Sequence, residues 1–237
     1  MTVNSLALGS LFVLSLAALL LAVFVLRRWK GPATRAYLLW GIGLLLVCAT
    51  TFEEAVIYAG VWSQPLIQSY FVMVAVLVGI LSLGSAELAL KGRWRTAWYG
   101  YIGTVSFGMI VAGFLLPVGP SVTILTSGVV TGNPPLPTLV LSSLLTIPGS
   151  LMLSGAAVYG IVKNRSWQLL YIVAGVVLIA IAGSLYAFFS FQVTLYYTEF
   201  VGFVLLFFGF VKVPGISASF RSVRAASIAS PGNSSPP

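Results

Sequence analysis

The chain has 237 residues, of which 59% are hydrophobic and only 7% are charged, with twelve Lys and Arg against four Glu. Soluble globular domains carry about 25% charged residues, so this composition indicates a protein that is largely surrounded by lipid. The sequence contains no Asp, no His and a single cysteine, Cys48, which excludes Ser-His-Asp catalysis, His-ligated metal centres, paired-aspartate proteases and an internal disulfide. We therefore predict no cofactor, no metal site and no catalytic residues.

Seven apolar stretches are long enough to cross a bilayer, which takes roughly 20 residues of helix. Together they predict an all-α, polytopic membrane protein with one seven-helix transmembrane domain over residues 1–213. The predicted spans are Leu6–Leu26, Ala36–Gly60, Ser69–Leu90, Ala97–Pro117, Thr138–Val162, Gln168–Ser190 and Val193–Lys212.

The basic residues indicate how these spans are oriented. All of them lie in alternate loops or after the last span, at Arg27, Arg28, Lys30, Arg35, Lys91, Arg93, Arg95, Lys163, Arg165, Lys212, Arg221 and Arg224. The positive-inside rule then places the N-terminus outside and the C-terminus in the cytoplasm. The net charge of +8 is explained by contacts with the bilayer and its anionic headgroups, so we predict no nucleic-acid partner.

The segment 214–237 is rich in Ser, Ala, Gly and Pro. It has little apolar surface to bury, so we predict a cytoplasmic and largely disordered tail.

Spans two and six are similar to each other, as are spans three and seven. The first pair is Arg35–Trp40 against Ser166–Tyr171, and the second is Tyr70-Phe71 against Tyr196-Tyr197. One interpretation is a 3+1+3 parallel repeat with span four as the linker, an arrangement known in transporters and in receptors. Chance similarity among leucine-rich helices is the alternative.

Ionisable groups inside a membrane are costly and are therefore candidates for function. Glu53 and Glu54 lie in the outer half of span two, and Glu199 lies in the outer half of span seven. No Lys or Arg occurs at that depth, so these acids can carry protons or bind a cation with hydroxyl groups such as Thr50 and Thr198. The alternative is that they hydrogen-bond as neutral acids to neighbouring helices or extend to the outer interface of the membrane.

Two further features have structural interpretations. Glu87 precedes Lys91 by four residues at the end of span three, which predicts a structural ion pair. Pro148 lies inside span five, where the missing backbone donor predicts a helix kink.

The leading hypothesis is a carrier for a small solute, a proton or a cation, with an acidic site in its outer half. The alternative is a non-transporting seven-helix sensor or an accessory or structural membrane subunit, and a glutamate- or hydroxyl-based enzyme comes third. A homo-oligomer or a membrane partner subunit is compatible with each of them. The lone cysteine and the N-out first helix favour the plasma membrane of a prokaryotic cell.

Overall fold

The computed structural model describes residues 5–27, 34–61, 63–117, 134–165, 167–189 and 192–211, and these residues form helices without strands. The all-helical prediction is therefore confirmed for the part of the chain that the structure describes. The helices are α1 Ser5–Arg27, α2 Thr34–Tyr58, α3 Gln64–Ala89, α4 Arg93–Leu115, α5 Leu136–Asn164, α6 Leu170–Phe189 and α7 Gln192–Val211, with a short 3-10 turn, Trp167–Leu169, before α6.

Five of these helices, α1 to α5, are long and apolar enough to cross a membrane. The apolar segments described within α6 and α7 are shorter, at Leu170–Ile179 and Thr198–Gly209. Several apolar helices of this kind are compatible with an integral, multi-pass membrane protein. The number of crossings and their orientation stay predictions.

Two helices begin four or five residues before the predicted spans, because a helix can extend beyond its apolar segment. α3 begins at Gln64 and not at Ser69, since Ser63 caps its N-terminus and accepts a hydrogen bond from the backbone N–H of Leu66. α4 begins at Arg93, four residues before the predicted span, so its first turn carries two arginines into the helix. The predicted tail, 214–237, lies outside the described residues.

Six helices form a closed ring in the order α1, α2, α3, α5, α6 and α7, and α4 packs outside the ring against α3 and α5. Successive helices run in opposite directions. We call the end at which α2 ends and α3 begins the acidic end, because Glu53, Glu54 and Glu199 lie near it. The opposite end is the basic end, where Lys91 and Arg95 lie.

The interior of the ring is filled by apolar side chains from the middle of the bundle towards the basic end. All six ring helices contribute to this cluster, which we call the apolar plug. Through the apolar plug, helices that are not neighbours in the ring are held together by van der Waals packing of buried side chains. Its members include Leu14, Leu21, Trp40, Leu44, Leu81, Ala157, Ile172, Phe203 and Leu206.

Small residues on α3 are contacted by two tryptophans of neighbouring helices. The indole of Trp40 lies against Gly84, where a Cβ atom would meet its Nε1 at 2.6 Å. That indole N–H donates to Ser85 Oγ at 3.4 Å, and the N–H of Trp98 on α4 donates to Ser82 Oγ at 3.3 Å. The small residues of α3 therefore provide both space and acceptors for its neighbours, as expected for membrane helices.

Pro148 lies inside α5, as the sequence predicts, and the helix continues through it. A proline at this position leaves the carbonyl oxygen of Leu144, four residues earlier, without its usual backbone donor. The hydroxyl of Tyr101 on α4 donates to this oxygen at 2.7 Å. The backbone defect of one helix is thus repaired by a side chain of its neighbour.

We predict that Tyr101→Phe lowers the free energy of unfolding by about 1 kcal/mol, because one hydrogen bond to a membrane-facing carbonyl is lost. The same substitution in a Pro148→Ala background should cost much less, since the restored N–H of residue 148 then bonds to Leu144. Denaturant unfolding in detergent micelles measures the four variants of this double-mutant cycle. If Tyr101→Phe lowers the free energy of unfolding equally with and without Pro148, the hydrogen bond from Tyr101 does not compensate for the proline.

Candidate functional site

Glu54 is the most deeply buried acidic side chain that the structure describes, with only 5% of its surface exposed. It follows Glu53 directly on α2, and successive helical residues point about 100° apart. The two acids therefore project from different faces of α2. Each of them meets a different helix.

The carboxyl groups of Glu54 and of Glu199 on α7 are near enough to interact electrostatically. α2 and α7 are not neighbours in the ring, because α1 lies between them. The interaction therefore acts between two helices that do not pack directly against each other. We call Glu54 and Glu199 the acid pair. Glu199 is partly buried.

The hydroxyl-bearing residues beside the acid pair were also predicted to bind a ligand. Thr50 lies one helical turn before Glu54, is buried, and donates its hydroxyl proton to the carbonyl oxygen of Val47 at 3.0 Å. Its oxygen keeps lone pairs that a cation could use. Thr198 is partly buried on α7, directly before Glu199.

Glu53 is not part of the acid pair. It faces α3, where the hydroxyl of Ser69 donates to its Oε1 at 2.8 Å. Its other oxygen, Oε2, is buried and has no hydrogen-bond partner among the described residues. The adjacent glutamates, which look equivalent in the sequence, thus belong to two separate environments.

Charge balance limits what the acid pair can do. The ion pair found among the described residues is at the basic end, between Glu87 and Arg95, and none is formed by Glu54 or Glu199. Two carboxylates close together in a medium of low dielectric repel each other strongly. One proton or one monovalent cation held between them removes that repulsion. Within the described residues, no group of three or more His, Cys, Asp or Glu side chains could hold a metal ion.

Glu87 has a different partner from the one predicted. Its carboxylate accepts from Arg95 at 3.1 Å and from the hydroxyl of Tyr99 at 2.8 Å, both on α4. The structure does not bring Lys91 into this ion pair, because α3 ends at Ala89 and Lys91 is exposed in the turn that follows. The i, i+4 geometry is lost where the helix stops. The short turn instead folds the first turns of α4 back beside Glu87.

Three of these partners were missed by sequence reasoning, namely Ser69, Arg95 and Tyr99. Each comes from the antiparallel contact of two consecutive helices, α2 with α3 or α3 with α4. The short turns between these helices could have predicted the three partners, because a short turn fixes which residues of the two helices lie opposite each other. The meeting of Glu54 with Glu199 has no such local signal.

No family model, no curated protein and no solved structure matches the chain. The interpretation of the site therefore depends on its geometry and chemistry.

We predict that Glu87→Gln lowers the free energy of unfolding by about 1.5–3 kcal/mol, because it removes the charge that Arg95 and Tyr99 bind. Lys91→Gln is the matched control and should change stability by less than about 0.5 kcal/mol, as exposed substitutions usually do. Denaturant unfolding in micelles measures both. A larger loss of stability for Lys91→Gln than for Glu87→Gln would contradict this result and would support the ion pair between Glu87 and Lys91 that the sequence predicts.

Proposed function

We propose that this protein is an integral membrane carrier that binds a proton or a small monovalent cation at the acid pair, Glu54 and Glu199. The observation that supports this function is the electrostatic interaction between two carboxyl groups on different helices, with no ion pair to either among the described residues. Such a pair binds one positive charge favourably, because the charge removes the repulsion between the two carboxylates. Thr50 and Thr198 are the proposed additional oxygen ligands.

The position of the apolar plug supports a carrier in preference to an open channel. The acid pair lies near the acidic end, whereas apolar side chains from all six ring helices meet between the middle of the bundle and the basic end. A charged solute therefore has polar groups on one side and an apolar barrier on the other. Crossing requires the helices to rearrange around the bound charge, which is how a carrier works.

We further propose that the chain crosses the membrane seven times, with the basic end in the cytoplasm and the N-terminus outside. The basic residues of alternate loops support this orientation, and they would contact anionic headgroups there. The acid pair then faces the outer side of a cell membrane. A prokaryotic plasma membrane is the proposed location.

Flux into liposomes tests the proposed function. Purified protein in liposomes that contain a pH-sensitive dye, or a dye sensitive to Na⁺ or K⁺, should dissipate an imposed gradient of the corresponding ion faster than empty liposomes do. Glu54→Gln and Glu199→Gln should each lower this rate at least tenfold, because the remaining carboxyl group binds a positive charge less well without its partner. Glu87→Gln is the matched control, since it removes the same charge at the opposite end, and its rate is corrected for the folded fraction.

Two outcomes would contradict the carrier. If no proton, Na⁺ or K⁺ flux exceeds that of empty liposomes, the non-transporting sensor or accessory subunit is favoured. If flux occurs but the glutamine variants at Glu54 and Glu199 leave it unchanged, the acid pair is not the site.

Reporter fusions test the orientation. Alkaline phosphatase, which is active only outside the cytoplasm, should be active when fused after Val61, between α2 and α3. It should be inactive when fused after Lys91, between α3 and α4. The reverse pattern would contradict the proposed topology, and equal activities would contradict the crossing of α3.

A further inference from the structure

The second acidic environment, at Glu53, has a hydrogen-bond pattern that responds to one proton. The Oγ atom of Ser69 lies 2.8 Å from Glu53 Oε1 and 2.9 Å from the carbonyl oxygen of Leu66. A serine hydroxyl has a single proton to donate and two lone pairs. Ser69 can therefore make both contacts at full strength only if one of them runs in the opposite direction.

The ionised form of Glu53 leaves this pattern incomplete. Ser69 then donates its proton to Oε1, and the carbonyl oxygen of Leu66 loses that donor. Oε2 shares the negative charge but is buried without a hydrogen-bond partner among the described residues. Burying a charged oxygen without a donor is among the most costly arrangements in a protein interior.

The neutral form completes the pattern. The proton on Oε1 is donated to Ser69 Oγ, and Ser69 donates its own proton to Leu66. Oε2 is then an uncharged carbonyl oxygen, for which a missing donor costs far less than for a carboxylate. Every donor in the group has an acceptor in this form.

The described residues around Glu53 supply no competing positive charge. α2 packs against α1 and α3. α1 as described contributes only uncharged side chains near the acidic end, and the nearby ionisable groups on α2 and α3 are Cys48, Glu54, Tyr58 and Tyr70. Glu54 interacts electrostatically with Glu199.

We propose that Glu53 and Ser69 form a second proton-binding site, at the contact between α2 and α3 and separate from the acid pair. The bound proton lies between Glu53 Oε1 and Ser69 Oγ, and its release reverses that hydrogen bond and withdraws the serine from Leu66. The ligand is the proton, because the contact at 2.8 Å is a hydrogen-bond distance and two side-chain oxygens are too few to bind a metal cation well. This site goes beyond the proposed function, since it is formed whether or not the acid pair transports an ion.

Infrared spectroscopy can detect this proton directly, because the chain has only four acidic side chains. The Glu54→Gln/Glu199→Gln protein, in a maltoside detergent without carbonyl groups, retains only Glu53, the ion-paired Glu87 and the terminal carboxylate. At neutral pH it should show the carbonyl band of one protonated carboxylic acid. Adding Glu53→Gln should abolish that band. Adding Ser69→Ala should shift it to higher frequency, because the acid loses its acceptor.

Two results would overturn the proposal: no protonated-acid band at neutral pH, or a band that Ser69→Ala leaves at the same frequency. Circular dichroism checks that each variant is folded. If the double variant does not fold, the difference spectrum between the unsubstituted protein and Glu53→Gln carries the same information. The infrared measurement does not depend on ion flux. A failure of the proposed carrier function can therefore be distinguished from a failure of the proposed proton site at Glu53.

Discussion

A chain surrounded by hydrocarbon must satisfy its backbone polar groups from within, because lipid offers neither donors nor acceptors. This constraint explains the helices themselves and also the use of the few polar side chains between them. The amide of Gln68 on α3 donates to the carbonyl oxygen of Leu116, directly after α4, at 3.0 Å. Thr51 on α2 donates within its own helix to Val47 and Cys48. Most polar side chains described here thus serve the backbone.

The acidic residues stand out against that background. Glu87 is bound by a cation and a phenol at the basic end, which explains its presence structurally. Glu53, Glu54 and Glu199 have no cationic partner among the described residues, and two of them interact electrostatically with each other. Most other polar groups of this fold form hydrogen bonds, whereas these acids raise the free energy of the folded protein in a membrane. That cost is the physical reason for assigning them a function.

The sequence predicted the parts of this structure that depend on local chemistry. The helical class follows from apolar runs of sufficient length, and the position of Pro148 within a helix follows from the apolar residues on both sides of it. The start of α3 was missed, because Ser63 caps the helix beyond the apolar segment. The separation of Glu53 from Glu54 follows in principle from their 100° offset, but the identity of each partner depends on the order of helices in the ring. That order brings α1 between α2 and α7, and a single sequence contains no record of it.

The bond between Tyr101 and the backbone of α5 constrains how this chain could have changed over time. A proline introduced at position 148 while residue 101 was phenylalanine would have left the Leu144 oxygen bare in hydrocarbon. A tyrosine introduced first would have met a carbonyl that already had its helical donor, at little cost. The easier historical route therefore has the tyrosine before the proline, and reverting the tyrosine alone is the unfavourable step. Homologous chains should contain tyrosine without proline far more often than proline without tyrosine.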